Sequence, residues 1–389
     1  MKESDRIQVN NGSKARGRRA AAVILMAAAL LFSVWFMQKF MCIPFSYDEI
    51  RIINFHKEPE NSIDVLLLGS SETYSDFASV YAYKYFGFTS YPYAIGGSTC
   101  TMWKPALKDA LCTQKPKLVI VDVFGGGYDR ELIDSRNNQL SIVMSHTAWS
   151  REKIATAMEL SGIVDRSSAA SFLFPFIKYH NNVPATVPDL PERLLLEASG
   201  PSPLKGENTM NRRRKCRDVD PASFTDDTAP LDPKTEEIIL DFIDFCRSED
   251  IEVLFVKFPS VITFEDPEEM EVNLRSNRIL QIAEENGCHA LNMQKYFHVI
   301  GLKERKDFYN HGHTNLRGQR KITFFLGQYL QLIGFVPSEY DDSVKAEWDE
   351  AVKYWDVFEK VCDIEIQKNA AVNIGDEPSV VNELSRMIE

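Results

Sequence analysis

Two short stretches near opposite ends of the chain carry side chains from which a nucleophilic site can be built. The first, VLLLGSSETYSDF over 65–77, is an apolar strand-like run that breaks into Gly69-Ser70-Ser71. The second, DFYNHGHTNLRG over 307–318, gathers Asp307, Asn310, His311 and His313 into one loop. A serine hydroxyl is a poor nucleophile until a base takes its proton, and the oxyanion formed on attack needs fixed donors. An imidazole supplies the base, and a carboxylate beside it fixes the tautomer and stabilises the imidazolium. A serine at the head of a helix adds its own N–H as one oxyanion donor. Each stretch also has a plainer reading. Ser70 or Ser71 could N-cap the following helix, and the 307–318 loop could be structural. His311-x-His313 could be two metal ligands, but no other Asp/His/Cys cluster completes a site, so no metal or other cofactor is expected.

These groups need a scaffold, and the pattern between them supplies one. A strand at 63–68 leads into the Gly-Ser-Ser turn and a helical stretch through Phe86. A short strand at 91–95 ends in the turn Gly96-Gly97-Ser98-Thr99, and a helix follows over about 102–113. The run KLVIVDVF (117–124) enters the loop GGGYD. Later come a helix near 234–248, a strand at 252–258, a helix near 267–286, a short strand near HALNM and a helix over 315–333. Buried β-rich runs alternating with helices predict a parallel sheet covered on both faces. Open sheets of this kind keep their chemistry just past the carboxyl ends of the strands, where Ser70 and Ser71 fall. Residues 130–233 break the rhythm with helical stretches, a proline-rich segment and the basic run at 212–215, and read as a helical insertion. The α/β domain is expected over 44–335.

The N-terminus carries a different signal. A basic cluster (Lys14, Arg16, Arg18, Arg19) precedes the uninterrupted apolar run Ala20–Met37. As a helix that run is about one bilayer core long, and Trp35, Phe36 and Lys39 suit its interfacial boundary. No small-x-small cleavage site follows, so residues 20–41 read as an uncleaved anchor. The positive flank predicts a cytoplasmic tail (1–19) and an extracytoplasmic remainder. The net charge of −12 argues against nucleic acid. From Glu339 onward there are fourteen acidic and five basic residues, so the acidity belongs mainly to the 336–389 tail. Within that tail Val344–Val361 shows helical spacing, with Trp348 and Trp355 on one face, and beyond Lys368 disorder is expected. Seven scattered cysteines without a CxxC pair exclude a zinc ribbon and do not form a disulfide framework; one extracytoplasmic disulfide stays open, with Cys100–Cys112 as a candidate pair.

The two end blocks, VLLLGSSETY and DFYNHGHTN..G, resemble the first and last blocks of the SGNH (GDSL-like) hydrolase superfamily, in particular its membrane-anchored DltD-like and polysaccharide O-acetyltransferase-like branch. The resemblance spans roughly 60–333 and implies a flavodoxin-like three-layer α/β/α sandwich. It implies Ser71 as nucleophile and His313 as base, with Asn315 and Gly318 in the family's spacing after it. The N–H groups of Ser71 and Gly97 would form the oxyanion hole. The chain departs from the pattern twice. Where many members have an aspartate three residues before the histidine, Asn310 stands here, so Asp307 is expected as the orienter, with Asn310 as the alternative. No asparagine follows the third strand, so a third oxyanion donor is missing or is a backbone N–H around Gly125–Gly127. The implied function is a serine esterase or acyltransferase acting on a cell-surface polysaccharide or other acylated polymer. The alternative is a degenerate SGNH domain that assembles with a membrane-bound acyltransferase.

Overall fold

A computed structural model describes residues 3–41, 43, 45–135, 138–163, 168–213 and 216–368. Five strands form one sheet: β1 (Val65–Gly69), β2 (Ser90–Ala94), β3 (Leu118–Asp122), β4 (Glu252–Lys257) and β5 (His289–Asn292). All neighbours are parallel, in the order β2-β1-β3-β4-β5. Every residue of β1, β2 and β3 is buried, as a sheet covered on both faces requires. Alternate residues divide between two cores. Leu66, Leu68, Val119, Val121 and Phe255 face one, built with Trp103, Phe242 and Ile279. Val65, Leu67, Ile120, Leu254 and Val256 face the other, closed by Ile322, Leu326 and Leu330. The result is the three-layer α/β/α sandwich with the flavodoxin-like strand order.

The covering helices begin where local chemistry says they should. Asp232 and Asp266 each accept a backbone N–H at the start of Pro233–Ser248 and Pro267–Glu285, with proline at the first helical position. Asn315 caps Leu316–Leu332 by accepting from the Arg317 N–H at 2.9 Å. Each such cap contributes on the order of 1 kcal/mol. The helix Asp342–Lys368 lays Trp348 and Trp355, both fully buried, against the rest of the domain. Ion pairs Lys84–Asp356 and Arg317–Asp363 flank it. Residues 369–389, expected to be disordered, lie outside the described residues. Cys100 and Cys112 are free thiols, so the disulfide left open by the sequence is not formed.

Strand order reverses at β1, which has β2 on one side and β3 on the other. The crevice past the carboxyl ends of β1, β2 and β3 is therefore the ligand-binding position of this topology. Between β3 and Pro233 the chain makes helices including Asn138–His146, Arg151–Ile163, Pro175–Tyr179 and Leu190–Ala198. This segment docks on the end of the N-terminal helix Glu3–Phe40. The fully buried Arg193 fastens the segment to that helix end and the chain after it: Nη1 donates to the Lys39 carbonyl at 3.4 Å and to the buried Glu49 carboxylate, and Nη2 to the Ile43 carbonyl at 2.8 Å. Within the N-terminal helix, Gly17–Phe40 is long and apolar enough to cross a membrane, with a mean hydropathy of 2.4 over its most apolar window, none of which is buried against the protein.

Candidate active site

β1 ends at Gly69, and the helix Ser71–Asp76 begins at once. The turn is tight because a Cβ at Gly69 would collide with Thr73 Oγ1 and Asp122 Cβ, at the end of β3. Ser70 is buried while Ser71 is half-buried, which leaves Ser71 the more accessible hydroxyl. Ser70 makes no side-chain cap to the helix. Instead its Oγ donates to Glu72, and it lies 3.2 Å from Asp122 Oδ2. Ser71 lies in the first turn of the helix, where backbone N–H groups have no intrahelical acceptor. Gly97 sits across the crevice past β2 with φ +68°, a left-handed conformation that suits glycine. Ser98 ties that loop to β1 by donating from Oγ to the Gly69 carbonyl at 2.6 Å.

The 307–318 loop reaches the same crevice because Asp76 holds it there. Asp76 Oδ1 accepts from the Thr314 N–H at 2.8 Å and from Thr314 Oγ1 at 2.7 Å, across 238 residues of chain. Its neighbour His313 thereby stands over the Ser71 helix. His313 Nδ1 lies 2.8 Å from Asn310 Oδ1. The same oxygen accepts the backbone N–H groups of Gly312 at 3.0 Å and His313 at 2.9 Å. Two backbone donors identify that atom as the amide oxygen, an acceptor only, so the ring nitrogen facing it must carry the proton. Nε2 is then the lone-pair nitrogen, the tautomer a general base needs. It is shielded from solvent and makes no hydrogen bond. Burial lowers the His313 pKa to about 4.

The orienting role expected of Asp307 does not fit this geometry. Asp307 Oδ2 accepts from the Lys303 N–H at 2.8 Å and from Lys321 Nζ at 2.6 Å, so it fastens the loop to the Leu316–Leu332 helix. Asn310 takes its place beside the imidazole. The donors expected around Gly125–Gly127 are also largely engaged: the N–H groups of Gly126 and Gly127 bond the Val123 and Phe124 carbonyls at 3.0 Å each. Those glycines have a packing reason. A Cβ at 125, 126 or 127 would collide with the Ser98 carbonyl, Ile279 or the Val272 carbonyl. His311 is separated from His313 in role as well: its carbonyl accepts the Val261 N–H at 2.7 Å. Among the described residues no group of three His, Cys, Asp or Glu side chains is arranged to hold a metal ion.

Glu72 was not foreseen. The buried carboxylate lies between the two expected partners, with Oε2 3.4 Å from Ser71 Oγ and Oε1 4.0 Å from His313 Nε2. Ser71 therefore meets Glu72 rather than His313 in this state. At 3.4 Å that hydrogen bond is near the limit of the interaction, so turning the hydroxyl away costs at most about 1 kcal/mol. Asp122 is the second carboxylate of the crevice. Burial, reinforced by the charge of Glu72, raises its pKa to about 7. The only sequence signal for Glu72 was its position directly after the serine, and the partner needed to interpret it, His313, comes from the far end of the chain.

No protein-family model matches this chain, and no curated protein matches it either. Solved structures with related architecture include a GDSL-like lipase from Bacteroides thetaiotaomicron, 10% identical over 69% of this chain and 88% of that one, with a TM-score of 0.33. Another is a catalytic mutant of an acetylxylan esterase from Geobacillus stearothermophilus, 12% identical over 72% of this chain and 99% of that one, with a TM-score of 0.35. Likeness at that level leaves the chemistry to be argued from the side chains.

Proposed function

We propose that this chain is a membrane-anchored serine esterase or acyltransferase of SGNH type that acts on acylated cell-surface polysaccharide. The observation that carries the reading is the His313–Asn310 contact, which leaves Nε2 unprotonated beside the Ser71 turn. In the reaction, Ser71 Oγ would turn from Glu72 and attack the ester carbonyl while Nε2 takes its proton. The Ser71 and Gly97 N–H groups would hold the oxyanion. The imidazolium, still donating from Nδ1 to Asn310, would return the proton to the departing alcohol and leave an acyl group on Ser71. Water or a polymer hydroxyl, deprotonated by the same Nε2, would then accept the acyl group. This is a Ser-His dyad with an amide orienter, so imidazolium stabilisation comes from a dipole rather than a charge.

The Gly17–Phe40 helix would span the membrane once, with the basic flank inside and the catalytic domain outside. A polysaccharide substrate fits that placement. A second reading has one observation in its favour: Ser71 rests on Glu72, not on His313. On that reading the domain is a degenerate member that assembles with a membrane acyltransferase. One experiment separates the two. A fluorophosphonate probe on the detergent-solubilised full chain should modify Ser71, found by peptide mass mapping, and His313→Ala should reduce the labelling rate by about 10²–10⁴-fold. Unlabelled wild-type protein would support the assembly role instead.

A further inference from the structure

Away from Ser71 and His313, a cavity of about 350 Å³ opens where the end of the Gly17–Phe40 segment meets the helices that follow β3. That volume lies at the small end of ligand sites. Three ammonium groups face it, on Lys39, Lys57 and Lys153, against one carboxylate among the described lining residues, Glu197. Lys39 pairs with Glu197 at 3.3 Å. The other two lysines have only neutral partners. Lys57 Nζ donates to the Leu196 carbonyl, to Ser199 Oγ at 3.0 Å and to Asn54 Oδ1 at 3.3 Å. Buried Lys153 donates to the Thr147 carbonyl at 2.8 Å and lies 4.8 Å from the centre of the Trp149 ring. Burial lowers the pKa of both, that of Lys153 to about 8, and the charges of Glu197 near Lys57 and Asp109 near Lys153 offset it only in part. On the same wall His146 Nε2 bonds Glu49 Oε1 at 3.1 Å, while His56 Nε2 lies 3.1 Å from Asp109 but is buried without a hydrogen bond. Gln38 Oε1 is buried and accepts no hydrogen bond.

The surroundings indicate where the missing anion would come from. Trp35 and Trp149 line the cavity and are more than half exposed or at half exposure, and Phe174, Phe176 and Ile177 beside it are also exposed. Aromatic side chains in such numbers around a helix end suit the headgroup level of a bilayer, and lysines there attract lipid phosphate. We propose that this cavity binds the headgroup of an anionic glycerophospholipid, with Lys57 and Lys153 on the phosphate and Gln38 on a headgroup hydroxyl. The inference rests on the reading of Gly17–Phe40 as a membrane span.

The test uses the full chain in detergent, titrated with dihexanoyl phosphatidylglycerol, dihexanoyl phosphatidylcholine and inorganic phosphate while tryptophan fluorescence is followed. Phosphatidylglycerol should bind at least about tenfold more tightly than phosphatidylcholine. A charge-assisted hydrogen bond to the phosphate is worth at least about a tenfold effect, so Lys57→Gln should weaken binding by about that factor. The double variant with Lys153→Gln should weaken it by about 100-fold. The double arginine variant should bind like wild type. Because Lys153 is buried, thermal melting of each variant identifies any that does not fold, and Lys57→Gln alone then decides. Equal affinity for the two lipids, unchanged affinity in Lys57→Gln, or phosphate competing as well as the lipid would overturn the proposal. The span is checked separately: a chain released from membranes by alkaline carbonate would refute the anchor, whereas a carbonate-resistant chain that ignores phosphatidylglycerol would refute only the lipid site.

Discussion

Replacing Asn310 with Asp should move the acid limb of the esterase pH profile without disturbing the loop. In the native chain His313 titrates near 4 because burial disfavours the imidazolium and only an amide faces Nδ1. A carboxylate at 310 would lie at the same 2.8 Å and still accept the Gly312 and His313 N–H groups. Two unit charges about 3 Å apart attract by roughly 5 kcal/mol at an effective dielectric constant of about 20. Desolvating the new carboxylate removes part of this, and carboxylate neighbours shift such groups by about 1–3 pK units. The limb should therefore rise from about 4 to between about 5 and 7. The sign decides the outcome. Near pH 5 the native base is largely neutral and working, while the variant is largely protonated and slower, by about tenfold at the middle of that range. Near pH 8 both are neutral, and the variant should match or exceed the native rate, because its transition-state imidazolium is paired. The assay is kcat/KM for an activated acetate ester from about pH 4 to about pH 9, which reports the pKa values of the free enzyme. Superimposable profiles would mean that His313 is not the titrating base or that Asn310 does not face it.

Ser71→Ala should abolish ester hydrolysis. Ser70→Ala should keep activity within about tenfold while losing about 1–3 kcal/mol of stability, because its hydroxyl serves two buried carboxylates; the reverse pattern in activity would move the nucleophile to Ser70. Asp307→Asn should lower the melting temperature through its Lys321 contact and change kcat by less than about tenfold; a collapse of kcat at unchanged stability would restore Asp307 to the catalytic group. Asp122 has a raised folded-state pKa of about 7, so the stability it contributes is full below the unfolded value of about 4 and declines as pH rises through 7. Asp122→Asn should therefore flatten the fall in melting temperature between about pH 4 and pH 7, and parallel curves for the two proteins would refute that assignment.

The sheet was legible because its residues meet two apolar layers at once. Runs such as LVIVD and VLLLG need no partner information to be recognised as strands buried on both faces. The ends of the site were legible for a related reason: a turn after a central strand and a loop before the last helix are places this topology brings together. The wiring between them was not. Asp307 and Asn310 both lie within reach along the chain, and which one meets the imidazole depends on Lys321, fourteen residues further on, drawing Asp307 away. Glu72 reads as an ordinary first-turn acid on a short helix until His313 is set 4.0 Å from it by the fold. Arg193 carries no local signal within the insertion. Its burial on Glu49 and the Ile43 carbonyl depends on helices whose docking no local pattern encodes.

The Asp76–Thr314 tie also bears on the order in which this molecule can become itself. The proposed nucleophile turn leaves the ribosome early and the proposed base loop late, the tied side chains lying 238 positions apart. Until the Leu316–Leu332 helix arrives, Val65, Leu67, Ile120 and Leu254 lack the part of their cover that Ile322, Leu326 and Leu330 supply. Contacts this remote in the chain make for slow folding, and partly made sheets expose apolar surface in the meantime. The nascent chain thus carries its serine through most of synthesis beside an unfinished wall and without a base. A nearly complete chain would be prone to aggregate, and on the proposed function acyl chemistry would begin only when the last layer closes.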